Sequence, residues 1–349
     1  MQINEEKLNA LLGLMITELG AAQNAALVII GDELGLYSAL AQHGPVTPQQ
    51  LAQATGTHER YIREWLSAQA ASGFVTYDAE QQLFSLSPEQ AAVLGDDDSS
   101  VNMVGGFQAL VATYADRARL TDSFRTGQGF CWTDRCNCLF CGTDRFFRPG
   151  YKANLLDHWL PALDGVVEKL ERGARVADVG CGHGSSTAIM ARAFPNSEFI
   201  GYDFHDASVE EARVNAGGLA NVRFETARAQ DFPGDGFDLV TLFDALHDMG
   251  DPVSAIRHIA QSLAPDGKVM LVEPQAGDRL EQNFNPVGRI FYAASTNFCV
   301  PASLGQEVGL ALGAQAGQER LEAVIREGGL ANVRRAAETP FNMVLEASR

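Results

Sequence analysis

Residues 175–187 read RVADVGCGHGSST. An apolar run (Val176, Ala177, Val179) leads into Gly180, Gly182 and Gly184, and a Ser/Thr cluster follows. That order predicts a buried strand, a tight turn and a helix N-terminus. Glycines let the backbone come close to a ligand, and the first turn of a helix has N–H groups without partners.

Downstream, apolar runs recur at 176–179, 199–202, 222–224, 237–243, 269–272, 333–337 and 341–345. Helical segments separate the early runs, which predicts a doubly wound α/β sheet, Rossmann-like and seven-stranded. Only Glu338, Thr339 and Pro340 join the last two runs. That link is too short for a crossover, so the last strand is expected to be antiparallel. The glycines read G-x-G-x-G, which is neither the dinucleotide fingerprint nor a P-loop. Asp178 precedes them, and Asp203 ends the next strand in FIGYDF. A carboxylate there can accept both hydroxyls of a ribose.

Upstream, residues 5–41 carry apolar side chains at helical spacing: Leu8, Leu11, Leu12, Met15, Ile16, Leu19, then Val28, Ile29 and Ile30. So broad a face suits core packing or burial against a second copy of the chain. Residues 46–71 outline a helix-turn-helix: Thr47 and Pro48 start a helix, Gly56 ends it and Thr57 caps the next. Residues 73–75 and 83–86 are the expected strands of a wing. Between residues 1 and 95 the only basic residues are Lys7, Arg60 and Arg63, and the formal net charge of the chain is −18. DNA binding needs a basic stripe, so the module is read as one for dimerisation and substrate enclosure.

Residues 1–100 are thus expected to form a helical winged-helix dimerisation domain, 101–170 linker helices with a cysteine-rich loop, and 171–349 the ligand-binding domain. Residues 101–125 are expected to be helical again, ended at 127–129, and 146–151 are expected to lead into a helix that runs through Leu170. The acidic, amphipathic N-terminus is no signal peptide, and no stretch reads as long and apolar enough to cross a bilayer. The cytoplasm is the expected location, and its redox state favours thiols or ligands over disulfides for the six cysteines. Four of these, Cys131, Cys136, Cys138 and Cys141, crowd one stretch and are candidate ligands for a metal or metalloid. Their spacing matches no common zinc pattern, and the alternative is small, partly buried thiols.

VADVGCGHGSS followed by FIGYDFHDAS resembles the class I S-adenosylmethionine-dependent methyltransferases. DRFFRPGY, LHDMGDP, NPVGRIFYAAST and ETPFNMVLEA resemble the narrower bacterial group with an N-terminal winged helix. The resemblance implies S-adenosylmethionine as cofactor and S-adenosylhomocysteine as product. It implies that Gly180, Cys181, Gly182 and Gly184 line the methionine and ribose part and that Asp178 lies near the amino group. Asp203 then holds the ribose, with Phe204 beside it. Ala229, Gln230 and Asp231 flank the adenine, and Tyr151, Phe243 and Asp244 close the site.

Leu246-His247-Asp248 resembles the His-Asp pair of winged-helix O-methyltransferases, which makes His247 the candidate general base and Glu273 the group that orients it. The alternative is a structural or substrate-binding histidine. His183 and His205 are expected near the cofactor; His58, His158 and His258 fall in helical patterns. Residues 281–312 interrupt the alternation and are expected to overhang the site as a lid. Arg289, Tyr292, Ser295 and Thr296, with Phe146 and Arg148, are its candidate acceptor-binding residues. The expected function is methylation of a small molecule, through oxygen, by a homodimer with no nucleic-acid or membrane partner. Two alternatives stand beside it: a transcriptional regulator with a cofactor-sensing domain, and methyl transfer to sulfur or a thiophilic element held by the cysteines.

Overall fold

The computed structural model describes residues 3–349. The chain divides into two compact units, one of Met1–Leu110 with Arg145–Pro149, the other of Val111–Asp144 with Gly150–Arg349.

The first unit opens with a helix over Glu5–Glu33, whose N-cap Asn4 accepts a hydrogen bond from the Lys7 amide. The helix stops short of residue 41 because Gly35 takes φ +65°, and a second helix, Leu36–His43, follows. Glu5–Glu33 is long and apolar enough, by length and composition, to cross a membrane, which corrects the expectation that no stretch is. Thr47 and Gln50 form a capping box on the helix Pro48–Thr55, and Gly56 closes it at φ +65°. His58, not Thr57, caps the next helix, Glu59–Ala71, by accepting from the Arg60 amide; the Thr57 hydroxyl pairs instead with that of Thr55. The wing is β1 (Thr76–Asp78) against β2 (Leu83–Ser85), with Tyr77 opposite Phe84. It starts at Thr76 rather than Gly73 because the amides of Phe74 and Val75 still bond to the Gln69 carbonyl, finishing the helix before it. Val28, Leu36, Tyr37, Leu40, Leu51 and Leu66 form the core. The Tyr37 hydroxyl donates to Gln69, whose amide donates to Asn24, so this core buries no unpaired member of that relay.

The helical stretch over 101–125 consists of two helices, Val104–Ala115 and Arg117–Thr126, the second closed by Gly127. The cysteine-rich stretch is not a loop throughout. After a short turn at Trp132–Asp134, a helix runs over Asn137–Asn154 and contains Cys138, Cys141 and the whole FFRPGY motif. A π turn, Leu155–Trp159, and a short helix, Val166–Arg172, replace the continuous helix expected to Leu170.

The second unit is built on a seven-stranded mixed sheet. Its strands are β3 (Arg175–Val179), β4 (Glu198–Asp203), β5 (Val222–Thr226), β6 (Phe237–Phe243), β7 (Leu263–Pro274), β8 (Asn332–Glu338) and β9 (Asn342–Ser348), in the order β5-β4-β3-β6-β7-β9-β8. The first five run parallel; β9 is antiparallel to β7 and to β8. Apolar runs buried on both faces explain this order: Val176, Ala177, Ile200, Val240, Leu242, Leu271 and Leu345 have almost no exposed surface. Strand order reverses between β3 and β6, and α/β sheets bind ligands at the C-terminal ends of the strands at such a switch point.

Candidate active site

The glycine turn after β3 is held open by its conformation. Gly180, Gly182 and Gly184 all have positive φ, at +77°, +51° and +75°. A Cβ at Gly180 would meet Ala245 at 2.8 Å, and one at Gly184 would meet the Phe224 ring at 2.7 Å. At Gly182 it would meet nothing within 4 Å, so the space over the middle of the turn is free. The amides of Gly180 and Cys181 bond to the Tyr202 carbonyl, tying the turn to β4.

Asp178 lies near the end of β3, just before the turn. It has no exposed surface, and its carboxylate accepts from the hydroxyls of Ser186 (2.8 Å), Thr187 (2.6 Å) and Thr241 (3.0 Å). These bonds pin the helix Ser185–Ala193 to β3 and β6. Burial pushes the Asp178 carboxyl up to about 6, against the three hydroxyls. Cys181 is buried too, which raises its thiol well above the ordinary value.

Asp203 stands at the edge of the turn. One oxygen accepts the Gly182 amide and the other the His205 amide, each at 2.9 Å, so the carboxylate fixes the glycine turn and the end of β4 together. His205 bonds to Ser208 and stacks on Phe140, and Phe204 is exposed beside it. Ala229 and Gln230, half-buried, and Asp231, exposed, follow β5. Gln230 donates to the Asp251 carbonyl. At the end of β6, Phe243 packs on Tyr151 with ring centroids 5.1 Å apart, and Trp159 lies behind both. Asp244 takes φ +49°, and Asn342 donates to both of its oxygens. Burial, then Glu273, holds its carboxyl well above the usual range.

The next turn, Leu246–Asp248, carries His247. Its Nδ1 lies 2.5 Å from Oε2 of Glu273, on β7, and the other Glu273 oxygen accepts the Leu246 amide. Both side chains are buried. Burial alone would lower the histidine; the carboxylates of Glu273 and Asp248 override it and hold the imidazole well above its ordinary value. Oδ1 of Asp248 is 3.3 Å from Nε2.

Several expected acceptor residues serve the framework. Phe146 lies against Gly106 and packs edge-on to Phe147 within the first unit, which also contains the half-buried Arg148. Residues 281–312 fold into the helix Pro286–Ala294, a π turn at Ser295–Cys299 and the helix Val300–Leu304. Ser295 is buried and accepts the Ala314 amide; Thr296 is exposed and donates back to the Tyr292 carbonyl. The Tyr292 hydroxyl accepts from Asn283, and Arg289 is exposed. Cys136 and Cys138 are joined as a disulfide, their Cα atoms 5.3 Å apart where the helix begins. The expectation of six thiols is corrected, and in this state neither sulfur can serve as a thiolate ligand. The Cys131 sulfur accepts from the Thr133 hydroxyl.

Residues 170–329 match the model of a methyltransferase domain, and residues 22–96 that of an Rv2258c-like winged HTH domain. This chain is a methyltransferase of the class I fold with a winged-helix domain. The mitomycin biosynthesis 6-O-methyltransferase of Streptomyces lavendulae is 29% identical over 283 residues, which cover 75% of the methyltransferase and 77% of that protein. A ubiquinone biosynthesis O-methyltransferase of Neisseria meningitidis is 36% identical over 104 residues, 28% of this chain and under half (43%) of that one. Among solved structures, mitomycin 7-O-methyltransferase superposes with a TM-score of 0.69 at 22% identity, covering 99% of the methyltransferase and 100% of that chain. Human N-acetylserotonin methyltransferase bound to S-adenosylmethionine gives 0.71 at 14% identity, with 96% of each chain covered. At these identities the superpositions speak for the fold.

Two groups in the methyltransferase site escaped the sequence reading. Cys299 reaches His247 and Asp248 from a π turn far along the chain, and no spacing signals that. Arg135, its guanidinium wholly buried, pairs with Asp116 and donates to the carbonyls of Asn297 and Phe298. A lone arginine beside the cysteines carries no such signal.

Proposed function

We propose that this methyltransferase transfers a methyl group to an oxygen of a small molecule, with His247 as the general base. The observation that carries the reading is the buried His247–Glu273 pair at the sheet edge beside the glycine turn. S-adenosylmethionine fits the residues present. The space over Gly182 is open, its positive φ favours glycine there, and Asp203 offers acceptor oxygens beside it. Gly180, Gly182 and Gly184 would line its methionine and ribose part, Asp203 would take the ribose hydroxyls, and Phe204 with 229–231 would flank the adenine. When bound, the sulfonium supplies an electrophilic methyl group.

The chain's own groups do the rest. Glu273 fixes the imidazole through Nδ1, which leaves Nε2 as the atom that takes the proton of an acceptor hydroxyl. The packed rings of Tyr151, Trp159 and Phe243 keep that edge apolar and exclude water.

The winged-helix domain serves assembly in this reading. Arg60 and Arg63 of the helix Glu59–Ala71 are each paired with a glutamate four residues away, which leaves no basic stripe for DNA on that helix. Leu8, Leu11, Leu12, Met15, Ile16 and Leu19 are all exposed on Glu5–Glu33, a face suited to a second copy of the chain. We place the homodimer in the cytoplasm. The test is turnover of a panel of phenols and other hydroxyl acceptors with S-adenosylmethionine. Transfer to oxygen that collapses in His247→Ala, with S-adenosylhomocysteine binding retained, supports the assignment; undiminished turnover in that variant removes it.

A further inference from the structure

His247, Asp248 and Cys299 each turn a ligand atom toward the others, and the three atoms lie within 4.8 Å of one another. The set is one imidazole nitrogen, one carboxylate oxygen and one sulfur. His247 and Cys299 are buried. Oδ1 of Asp248 is sealed from solvent yet makes no hydrogen bond, although Nε2 is 3.3 Å away. A buried carboxylate oxygen without a hydrogen bond, beside a thiol and an imidazole, is costly unless a positive charge joins it, and either a proton on Nε2 or a bound cation supplies that charge.

We propose that His247, Asp248 and Cys299 bind a borderline-soft divalent cation of the zinc class. Tetrahedral bonds of about 2.0–2.3 Å put ligand atoms about 3.3–3.8 Å apart, so the observed spread closes by small side-chain rotations. Three protein ligands leave a fourth position open. Glu273 on Nδ1 supplies the outer carboxylate that metal-bound histidines commonly have, fixing the tautomer that presents Nε2. Hard cations such as magnesium want an oxygen shell that this nitrogen and sulfur pair does not provide. The carboxylates of Asp244, Asp248 and Glu273 lie close together here, while the charge of the nearby Arg135 is already engaged by Asp116. Binding forms one bond each to nitrogen, oxygen and sulfur and releases the Cys299 thiol proton, with that of Nε2 where it is protonated. The loaded form therefore has no free Nε2 lone pair to act as a base.

The experiment is cobalt(II) titration of full-length, chelator-stripped protein without reductant, followed by zinc displacement. The readout is the thiolate-to-metal absorption band and the visible bands of a four-coordinate ion, and needs neither cofactor nor acceptor. We expect one equivalent per chain, the thiolate band lost in Cys299→Ser and Cys299→Ala, and affinity about 10- to 100-fold weaker in Glu273→Gln. A variant with Cys131, Cys136, Cys138 and Cys141 all changed to Ser should keep the band. Circular dichroism checks each variant's fold, and the alanine variant covers the case in which a buried hydroxyl disrupts it. Absence of the thiolate band in the wild type, its survival in folded Cys299 variants, or its loss in the folded four-serine variant overturns the proposal.

Discussion

Glu273 and His247 share a 2.5 Å hydrogen bond between two strand ends that the sheet order places side by side. A base must be neutral to act, and the carboxylates around His247 hold its imidazole well above the ordinary value despite burial. In metal-free buffer, kcat should therefore still be climbing above neutral pH. Glu273→Gln removes one carboxylate and should move that acid limb to lower pH; His247→Ala should lower kcat by about 10²–10⁴-fold. A Glu273→Gln profile superimposable on the wild type would show that the pair does not tune the base. For stability the sign is opposite to that of activity. The raised histidine contributes fully below its unfolded value, and the contribution is lost as pH rises through the folded value.

Asp178 makes a different pH prediction. Its folded carboxyl stands at about 6 against an ordinary 3.8, because burial outweighs three hydroxyl donors. Its contribution is complete below about 3.8 and is lost as pH rises to about 6, a change on the order of 3 kcal/mol. Urea unfolding of Asp178→Asn across that window should show a flatter pH dependence than the wild type. Equal slopes would assign the pH dependence to other groups.

At the rim of the glycine turn, Asp203 organises two backbone amides at once. Asp203→Ala should weaken S-adenosylhomocysteine binding, measured by calorimetry, by about 1.5–3 kcal/mol, the loss expected for hydrogen bonds to a charged group. Binding within twofold of the wild type would remove Asp203 from the cofactor site.

The strands and the glycine turn were legible in the sequence because buried apolar runs and positive-φ glycines leave local signatures, as at 176–184 and 237–243. The antiparallel finish was legible from the three-residue link alone. What stayed hidden depends on partners distant in sequence. Nothing near Asp178 announces that Thr241 would help seal it, and nothing near Cys299 places it beside His247. Helix ends were misread where backbone bonds ran past the expected stop, as at Gln69, whose carbonyl delays the wing.

On Glu5–Glu33, Leu11 and Ile16 are more than half exposed, at 55% and 71%. Leu11→Glu combined with Ile16→Glu should turn the proposed dimer into a monomer by light scattering while circular dichroism stays unchanged. A wild type that is already monomeric at micromolar concentration would end that reading.

Of the seven strands of the sheet, β9 comes last in chain order. β9 lies between β7 and β8, is buried along nearly its whole length, and sets Met343 opposite Glu273. Until it leaves the ribosome, the edge of β7 that carries Glu273 stands unpaired with its hydrogen-bonding groups open. The nascent methyltransferase thus depends on timing: a stall or premature stop just before residue 342 leaves the strand bearing Glu273 available to pair with neighbouring chains.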